Sequence, residues 1–396
     1  MIDRTRLGVA VVLARAAGWL SRTLLRREGR TISGHVFLRL APRGRTGLIR
    51  PDAPVVLVSG TNGKTTTTAL IVKAWSTVTD VATNASGANL ATGIYGALVD
   101  QRNRSAVALE VDELALPAAI VDLRPQVVAL LNLSRDQMDR MHEVRRTAST
   151  WQTALSGFAG TVVANADDPL VVWAARAVAR VTWVAAGQPW TVDATACPAC
   201  TSFITFAADG WACERCDLRR PDVVDVGPLP ALSLPGRCNE ANARVALAVL
   251  AELGVPRPAS DSWVEIRSVA GRYESVDVDG RDVRLLLAKN PAGWQETLQL
   301  IDPERQLVLA LNARTEDGVD PSWIWDVPFE GLRHRRAVCA GERAADLAVR
   351  VDYAGVDVTV EPDLVAAVRR CKPGSVDLVG NYSAFREARS RMARRA

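Results

Sequence analysis

The chain has 396 residues, 48% of them hydrophobic and 23% charged, enough for two or three domains with buried cores in a soluble globular protein. A net charge of +4 is too small and too dispersed to argue for a nucleic-acid surface, although Arg-rich clusters occur at both ends. Of seven cysteines, four form two C-x-x-C pairs and three stand alone, which is not the pattern of a secreted disulfide framework; a reducing, cytoplasmic setting is expected.

The first marked feature is the run from Leu7 to Leu25, preceded by Arg4 and Arg6. Arg15 and Arg22 interrupt it, so it falls short of the roughly 20 apolar residues that a membrane-spanning helix needs, and no small-residue cleavage site of a signal peptide follows. It reads as a basic amphipathic helix, either packed and solvated or touching a membrane surface. From about residue 54, short β-branched runs alternate with Ala- and Leu-rich segments, the order of an α/β protein with a mostly parallel sheet. The expected strands are Val55 to Ser59, Ala106 to Val111, Val127 to Leu133, Thr161 to Asn165 and Val181 to Ala185.

The first strand runs through Ser59-Gly60-Thr61-Asn62-Gly63-Lys64-Thr65-Thr66 into a helix, the setting of a phosphate loop. Gly60 and Gly63 let backbone N–H groups approach phosphates, Lys64 can reach the β/γ oxygens, and the Thr65 hydroxyl can ligate Mg²⁺; ATP and Mg²⁺ are the expected ligands. The usual first glycine of the longer motif falls at Val58, so this is a shortened variant. Mg²⁺ wants further oxygen ligands, and Glu110 in Leu109-Glu110-Val111-Asp112-Glu113 is the leading candidate, with a structural role as its alternative. Asp112 and Glu113 could instead cap the following helix.

From about Thr195 to Pro221 the strand–helix rhythm breaks. Cys197-Pro198-Ala199-Cys200 and Cys213-Glu214-Arg215-Cys216 stand twelve residues apart, with a plausible hairpin between them, the spacing of a zinc ribbon. Four thiolates close the coordination shell, so the Zn²⁺ is expected to be structural; a redox pair or disulfides are the alternative. A third α/β unit begins near Val283, with strands at Leu307 to Leu311 and Ala337 to Cys339 and helices at Glu342 to Arg350 and Pro362 to Arg370. Cys238, Cys339 and Cys371 lie in apolar or helical surroundings that suggest no pairing with any of the three histidines (His35, His142, His334), and are expected to be buried or incidental.

The phosphate loop, then Asn84-Ala85-Ser86-Gly87-Ala88-Asn89, Glu110, Asn132 with Asp136 and Asp139, Asn165-Ala166-Asp167-Asp168, and Gly236-Arg237-Cys238-Asn239-Glu240-Ala241-Asn242 resemble the Mur ligase family in order and spacing. The resemblance implies a central parallel-sheet ATPase domain (46–278) carrying the zinc-ribbon insert (about 195–221), a basic helical segment before it (1–45) and a smaller α/β C-terminal domain after it (279–396). It implies nucleotide binding at Gly60 to Thr66, Asn84, Asn239 and Asn242; on their own, the last two read as a helix cap and a surface residue.

Ordinary Mur ligases carry D-x-A-H-x-P in the last domain, where this chain reads Ala288-Lys289-Asn290-Pro291, and Gln137 stands where many have histidine. With the four cysteines, the segment Asp317 to Asp326 and Gly380-Asn381-Tyr382-Ser383, these departures resemble the MurT branch, synthetase subunits that work with a GatD-type glutaminase to amidate lipid II. That resemblance implies a heterodimer, ammonia delivered from the partner, and Asp320 as the carboxylate completing the partner's Cys-His pair; the alternative is that Asp317, Asp320 and Asp326 cap turns around Trp323 and Trp325. The expected catalytic residues are therefore Lys64, Glu110 and Asp320, acting at the inner face of the plasma membrane, where peripheral contact is open. The rival readings are a Mur ligase that adds an amino acid, and a zinc-ribbon module docking on nucleic acid through Arg215, Arg219 and Arg220.

Overall fold

The computed structural model describes residues 4–24, 29–42, 45–84, 87–136, 143–266 and 273–392. Expectations at Ala85, Ser86, Gln137, Asp139 and His142 fall outside them. The chain divides into two compact units, Met1–Leu133 with Arg145–Gln188 and Ala194–Arg267, and Ser134–Val144 with Pro189–Asp193 and Ser268–Ala396.

In chain order, the first unit begins with α1 (Arg4–Leu24) and α2 (Gly29–Leu40), then β1 (Val55–Ser59), α3 (Lys64–Trp75), β2 (Val81–Ala82), α4 (Ala91–Asp100), β3 (Ala106–Glu110), α5 (Leu116–Leu123) and β4 (Val127–Leu130). It continues through α6 (Val144–Leu155), β5 (Thr161–Asn165), α7 (Pro169–Ala175), β6 (Val181–Val184), the hairpin β7 (Ile204–Ala207) and β8 (Gly210–Cys213), and α8 (Arg237–Glu252). Strands β1 to β6 form one sheet in the order β2-β3-β1-β4-β5-β6, every pairing parallel. Each residue of β1, β3 and β4 is buried, which is why those strands read as unbroken apolar runs. Helices α3 and α8 cover one face, sealed by Trp263, whose indole N–H donates to Leu70 O at 2.8 Å.

Strand order reverses around β1, so the loops after β1, β3, β4 and β5 gather at one edge, where ligands of doubly wound sheets bind. The strand expected to run to Leu133 ends at Leu130, because the next residues leave the sheet to meet the phosphate loop. Asp168 explains the start of α7: its carboxylate accepts from Leu170 N and Val171 N, and Pro169 occupies the first turn.

The second unit contains β9 (Tyr273–Asp277), β10 (Arg281–Leu287), α9 (Pro291–Leu298), β11 (Gln306–Ala310), β12 (Arg336–Ala340), α10 (Ala344–Tyr353), β13 (Asp357–Val360), α11 (Leu364–Arg370), β14 (Gly374–Gly380) and α12 (Tyr382–Met392). Its sheet runs β13-β12-β11-β14-β10-β9, parallel except for the β10–β9 pair. The sequence reading misses β14, which carries a charged residue mid-strand. That residue, Asp377, is fully buried and held by Arg284 at 2.7 and 2.8 Å and by Arg305 at 2.7 Å.

Candidate active site

At the end of β1 the chain makes a turn that only glycine can make. Gly60 has φ 146°, and a Cβ there would lie 2.8 Å from Leu131 Cβ; Gly63 has φ 86°, and a Cβ there would lie 2.2 Å from Asn242 Oδ1. Asn132 clasps the loop between them: its backbone O accepts from Thr61 N at 2.9 Å, its Oδ1 accepts from Asn62 N at 2.9 Å, and its Nδ2 donates to Asn62 O at 3.1 Å. Helix α3 starts at Lys64 with Gly63 as its left-handed cap residue and no side chain capping it, which leaves the N-terminal amides directed at the loop. Thr66 is buried and Thr65 half-buried in the first turn.

Lys64 is 3% exposed. Its Nζ donates to Gly60 O, to Thr61 O at 3.3 Å and to Glu113 Oε2 at 3.0 Å. Of the two carboxylates that could cap the following helix, Glu113 does not: it is 2% exposed and turned to Lys64, while Asp112 Oδ1 takes the turn's amide, Leu114 N at 3.0 Å, and α5 has no side-chain cap. Trp151 Nε1 fixes Glu113 from behind by donating to its backbone O at 2.9 Å. A buried ion pair costs several kcal/mol in desolvation unless its geometry is good and its remaining hydrogen bonds are made. Here the loop carbonyls supply those bonds to the ammonium. The signal available in sequence was a strand-end carboxylate beside a phosphate loop, but the pairing depends on the β1–β3 register, which sequence does not display.

Glu110 ends β3, paired with Val58 of β1, so it stands beside the phosphate loop. It is 2% exposed, and its backbone is clamped by Asn84, whose Oδ1 accepts Glu110 N at 3.0 Å and whose Nδ2 donates to Glu110 O at 2.8 Å and to Ala88 O at 3.0 Å. Asn84 thus spends its amide on holding Glu110 in place. Among the described residues none is seen to bond the Glu110 carboxylate, and its oxygens, with the hydroxyl of Thr65 in the first turn of α3, are hard donors of the kind that suits Mg²⁺. Asn242 is buried under the loop and accepts from Thr67 Oγ1 at 3.2 Å, while Asn239, one turn earlier and half-buried, donates to Pro235 O at 2.6 Å. Both lie on one face of α8 as expected, with Asn242 serving the loop's shape.

The four cysteines converge. Their sulfurs all lie within 4.8 Å of one another, Cys197 Sγ 3.6 Å from Cys216 Sγ and Cys200 Sγ 3.4 Å from Cys213 Sγ. Tetrahedral zinc with Zn–S bonds of about 2.3 Å puts sulfurs about 3.8 Å apart, so this set fits Zn²⁺. The N–H groups of Arg215 and Cys216 point at Cys213 Sγ from 3.4 and 3.5 Å and draw that thiol down to about 6, whereas burial pushes Cys197 up to about 12, a cost that a divalent cation offsets. The hairpin rests on the loop after β5: Trp211 Nε1 donates to Ala166 O at 3.0 Å, and Arg220 Nε meets Asp167 Oδ1 at 2.6 Å. Arg220 is therefore engaged within the protein, which weakens the nucleic-acid reading. Asp168, next to it, accepts Leu133 N at 2.8 Å.

In the second unit, Lys289, which replaces the family histidine, bonds Asp136 Oδ2 at 2.9 Å, and Asn290 caps α9 through Gly293 N at 2.8 Å. Arg135 holds the same segment through Asp193 at 2.5 Å and Asp326 at 3.0 Å. Asp320 lies in the loop after β11, at the C-terminal edge of the second sheet, and is exposed. Its Oδ1 accepts from Ser322 N and its Oδ2 from Ser322 Oγ, both at 2.9 Å, and the backbone bond holds its carboxyl below the ordinary 3.8. Asp317, three residues before, is the opposite: 5% exposed, its carboxyl raised by burial, it accepts from Ser383 N at 2.8 Å and from Ser383 Oγ and so ties the loop to α12. Asp320 caps a turn, as the plain alternative had it, and also stands free to be reached. Two of the three lone thiols are buried and held in the protonated, unreactive form: burial pushes Cys339 up to about 12 and raises Cys371.

Residues 58–250 match the Mur ligase middle domain family and residues 287–385 the MurT ligase C-terminal family. The chain is 29% identical over 95% of its length, and 95% of the relative's, to the MurT subunit of a glutamine-hydrolyzing lipid II isoglutaminyl synthase from Staphylococcus aureus (strain N315). Among solved structures it resembles a pseudomurein peptide ligase type C from Methanothermus fervidus (TM-score 0.67, 16% identity, 88% of this chain and 80% of that one). It also resembles a bifunctional folylpolyglutamate synthase/dihydrofolate synthase from Yersinia pestis complexed with AMPPNP and a Mn ion (TM-score 0.60, 17% identity, 99% and 98%). At those identities the structures speak for the fold, while the two consecutive domain matches and the near full-length relative place the chain in the Mur ligase family, within its MurT group.

Proposed function

We propose that this ligase amidates the α-carboxylate of D-glutamate in the lipid II stem peptide, using ATP and ammonia released by a GatD-type glutaminase subunit. The observation that carries the reading is the phosphate loop itself, with Lys64 held at its centre by Glu113 and the buried Glu110 at the end of the neighbouring strand. The substrate carboxylate attacks the γ-phosphorus of ATP, the bond to the β-phosphate oxygen breaks, and ADP leaves. Ammonia then attacks the acyl phosphate carbon and expels phosphate, giving the amide and losing a proton. Lys64 and the amides at the start of α3 offset the charge that grows on the transferring group. Bound at Thr65 and Glu110, Mg²⁺ would neutralise phosphate oxygens.

Asp320, exposed and ionised, supports a role in a partner's site: a carboxylate there orients an imidazole and stabilises its charged form. The inertness of Cys339 and Cys371 agrees with a separate subunit supplying the nucleophile. Zinc at Cys197, Cys200, Cys213 and Cys216 would be structural, and one zinc per chain, lost in Cys200→Ser, is the expected metal content.

The deciding experiment supplies purified chain, alone and with a glutaminase subunit, with ATP, Mg²⁺, lipid II and either ammonium, glutamine or free amino acids. ADP formation coupled to amide product from ammonium supports the reading. Product from an amino acid and none from ammonium would instead assign an amino-acid-adding ligase.

A further inference from the structure

Helix α1 is apolar on two sides, and only one of them is packed. Leu7, Ala10, Val11 and Ala14 are buried, in a helix that packs on α2 and α4. On the far side Val9, Val12, Leu13, Trp19 and Leu20 are between 48% and 66% exposed. At 3.6 residues per turn these five positions, with Ala16 among them, fall in one stripe about 120° wide, roughly opposite the packed face. A surface helix ordinarily turns polar residues to water, and isolated exposed apolar residues need no explanation, but a continuous stripe containing tryptophan does.

The charges around the stripe say what covers it. Arg6 is exposed on one flank; Arg15 and Arg22 lie on the other, where they also anchor the helix to α4, Arg15 Nε donating to Val99 O at 2.9 Å and Arg22 pairing with Asp100 at 3.5 Å. The first 50 residues hold eleven arginines against Asp3 and Glu28 alone, a surplus of nine in a chain whose net charge is only +4. The rest of the chain sums to a negative charge, so the first 50 residues carry a positive surplus in sequence. No described helix is long and apolar enough to cross a membrane.

We propose that the outer face of α1 is a membrane-docking surface: Val9, Val12, Leu13, Trp19 and Leu20 enter the headgroup boundary of an anionic bilayer while the flanking arginines meet lipid phosphates. An apolar stripe with tryptophan, free of acidic residues within it and bordered by arginines, matches the chemistry of an interfacial helix. The proposal deepens the functional reading above, resting on it only for the use of a membrane, since a lipid-linked substrate sits there.

The test is cosedimentation of the full chain with phosphatidylglycerol-containing vesicles and with vesicles of phosphatidylcholine alone. Binding to the anionic vesicles at least about tenfold stronger, and weakened when salt rises from about 0.1 to about 0.5 M, is expected. Val12→Asp and Trp19→Asp, both at exposed positions, should each abolish sedimentation while leaving melting temperature and activity on a water-soluble substrate analogue unchanged. Failure of the parent chain to sediment, equal binding to both vesicle types, or binding that survives both substitutions would overturn the proposal. So would oligomers in vesicle-free solution that Val12→Asp disperses, which would assign the stripe to a second copy of the chain. Loss of ATP-dependent amidation in a parent chain that still sediments would count against the functional reading and leave the docking surface standing.

Discussion

Lys64 and Glu113 are 3% and 2% exposed and meet across 49 positions of sequence, whereas Asp320 stands in solvent and takes its hydrogen bonds from Ser322, two residues on. The phosphate loop is cross-pinned from three other segments, by Asn132, Glu113 and Asn242, so its shape is set before any ligand arrives. The Asp320 loop is fixed at its base, through Asp317 and Ser383, and presents its tip outward. One region is built to receive a small anion within its own walls; the other has the form of a group that gains its surroundings from another surface.

Substitutions can break or sharpen that contrast. Lys64→Ala should lower ATP-dependent turnover by about 10³-fold with either nitrogen source, because a donor aimed at the transferring phosphate is lost whatever the nucleophile. Asp320→Asn should lower glutamine-dependent amidation by about 10²-fold while ammonium-dependent amidation stays within about twofold; an equal loss with both would place Asp320 in the ligase chemistry instead. Glu113→Gln keeps a hydrogen-bond acceptor but removes the charge that steadies Lys64, so the KM for ATP should rise about tenfold with a smaller change in kcat, and a lower melting temperature should accompany it.

The smallest effect concerns pH and Asp317. Burial raises its pKa above the ordinary 3.8, so its contribution to stability is full below that value and is lost as pH rises through the raised value. Asp317→Asn should therefore flatten the pH dependence of melting between the two values and shift the melting temperature by only a few degrees at neutral pH, read by calorimetry.

Much of the phosphate-binding site was readable because its signals are local: a buried strand, two glycines with positive φ, and a lysine opening a helix. The ribbon was readable for the same reason, since two C-x-x-C pairs carry their own spacing. What was not readable depends on register and distance. Glu113 resembles a helix cap until β3 is laid beside β1, and Asn132 resembles a polar loop residue until it closes on Asn62, 70 positions away. Strand β14 escaped because Asp377 interrupts its apolar pattern, and the two arginines that make the burial tolerable come from other segments. Strand β13 escaped because, at the sheet's edge, it exposes most of its residues.

The close approach of Asn242 to Gly63 has a genetic consequence. A methyl group at position 63 would strike Asn242 Oδ1 at 2.2 Å, so loss-of-function alleles at Gly63 would select second-site suppressors that shorten residue 242. Such revertants would relieve the collision and still inherit the unfavourable φ of 86°, so recovery would stop short of wild type.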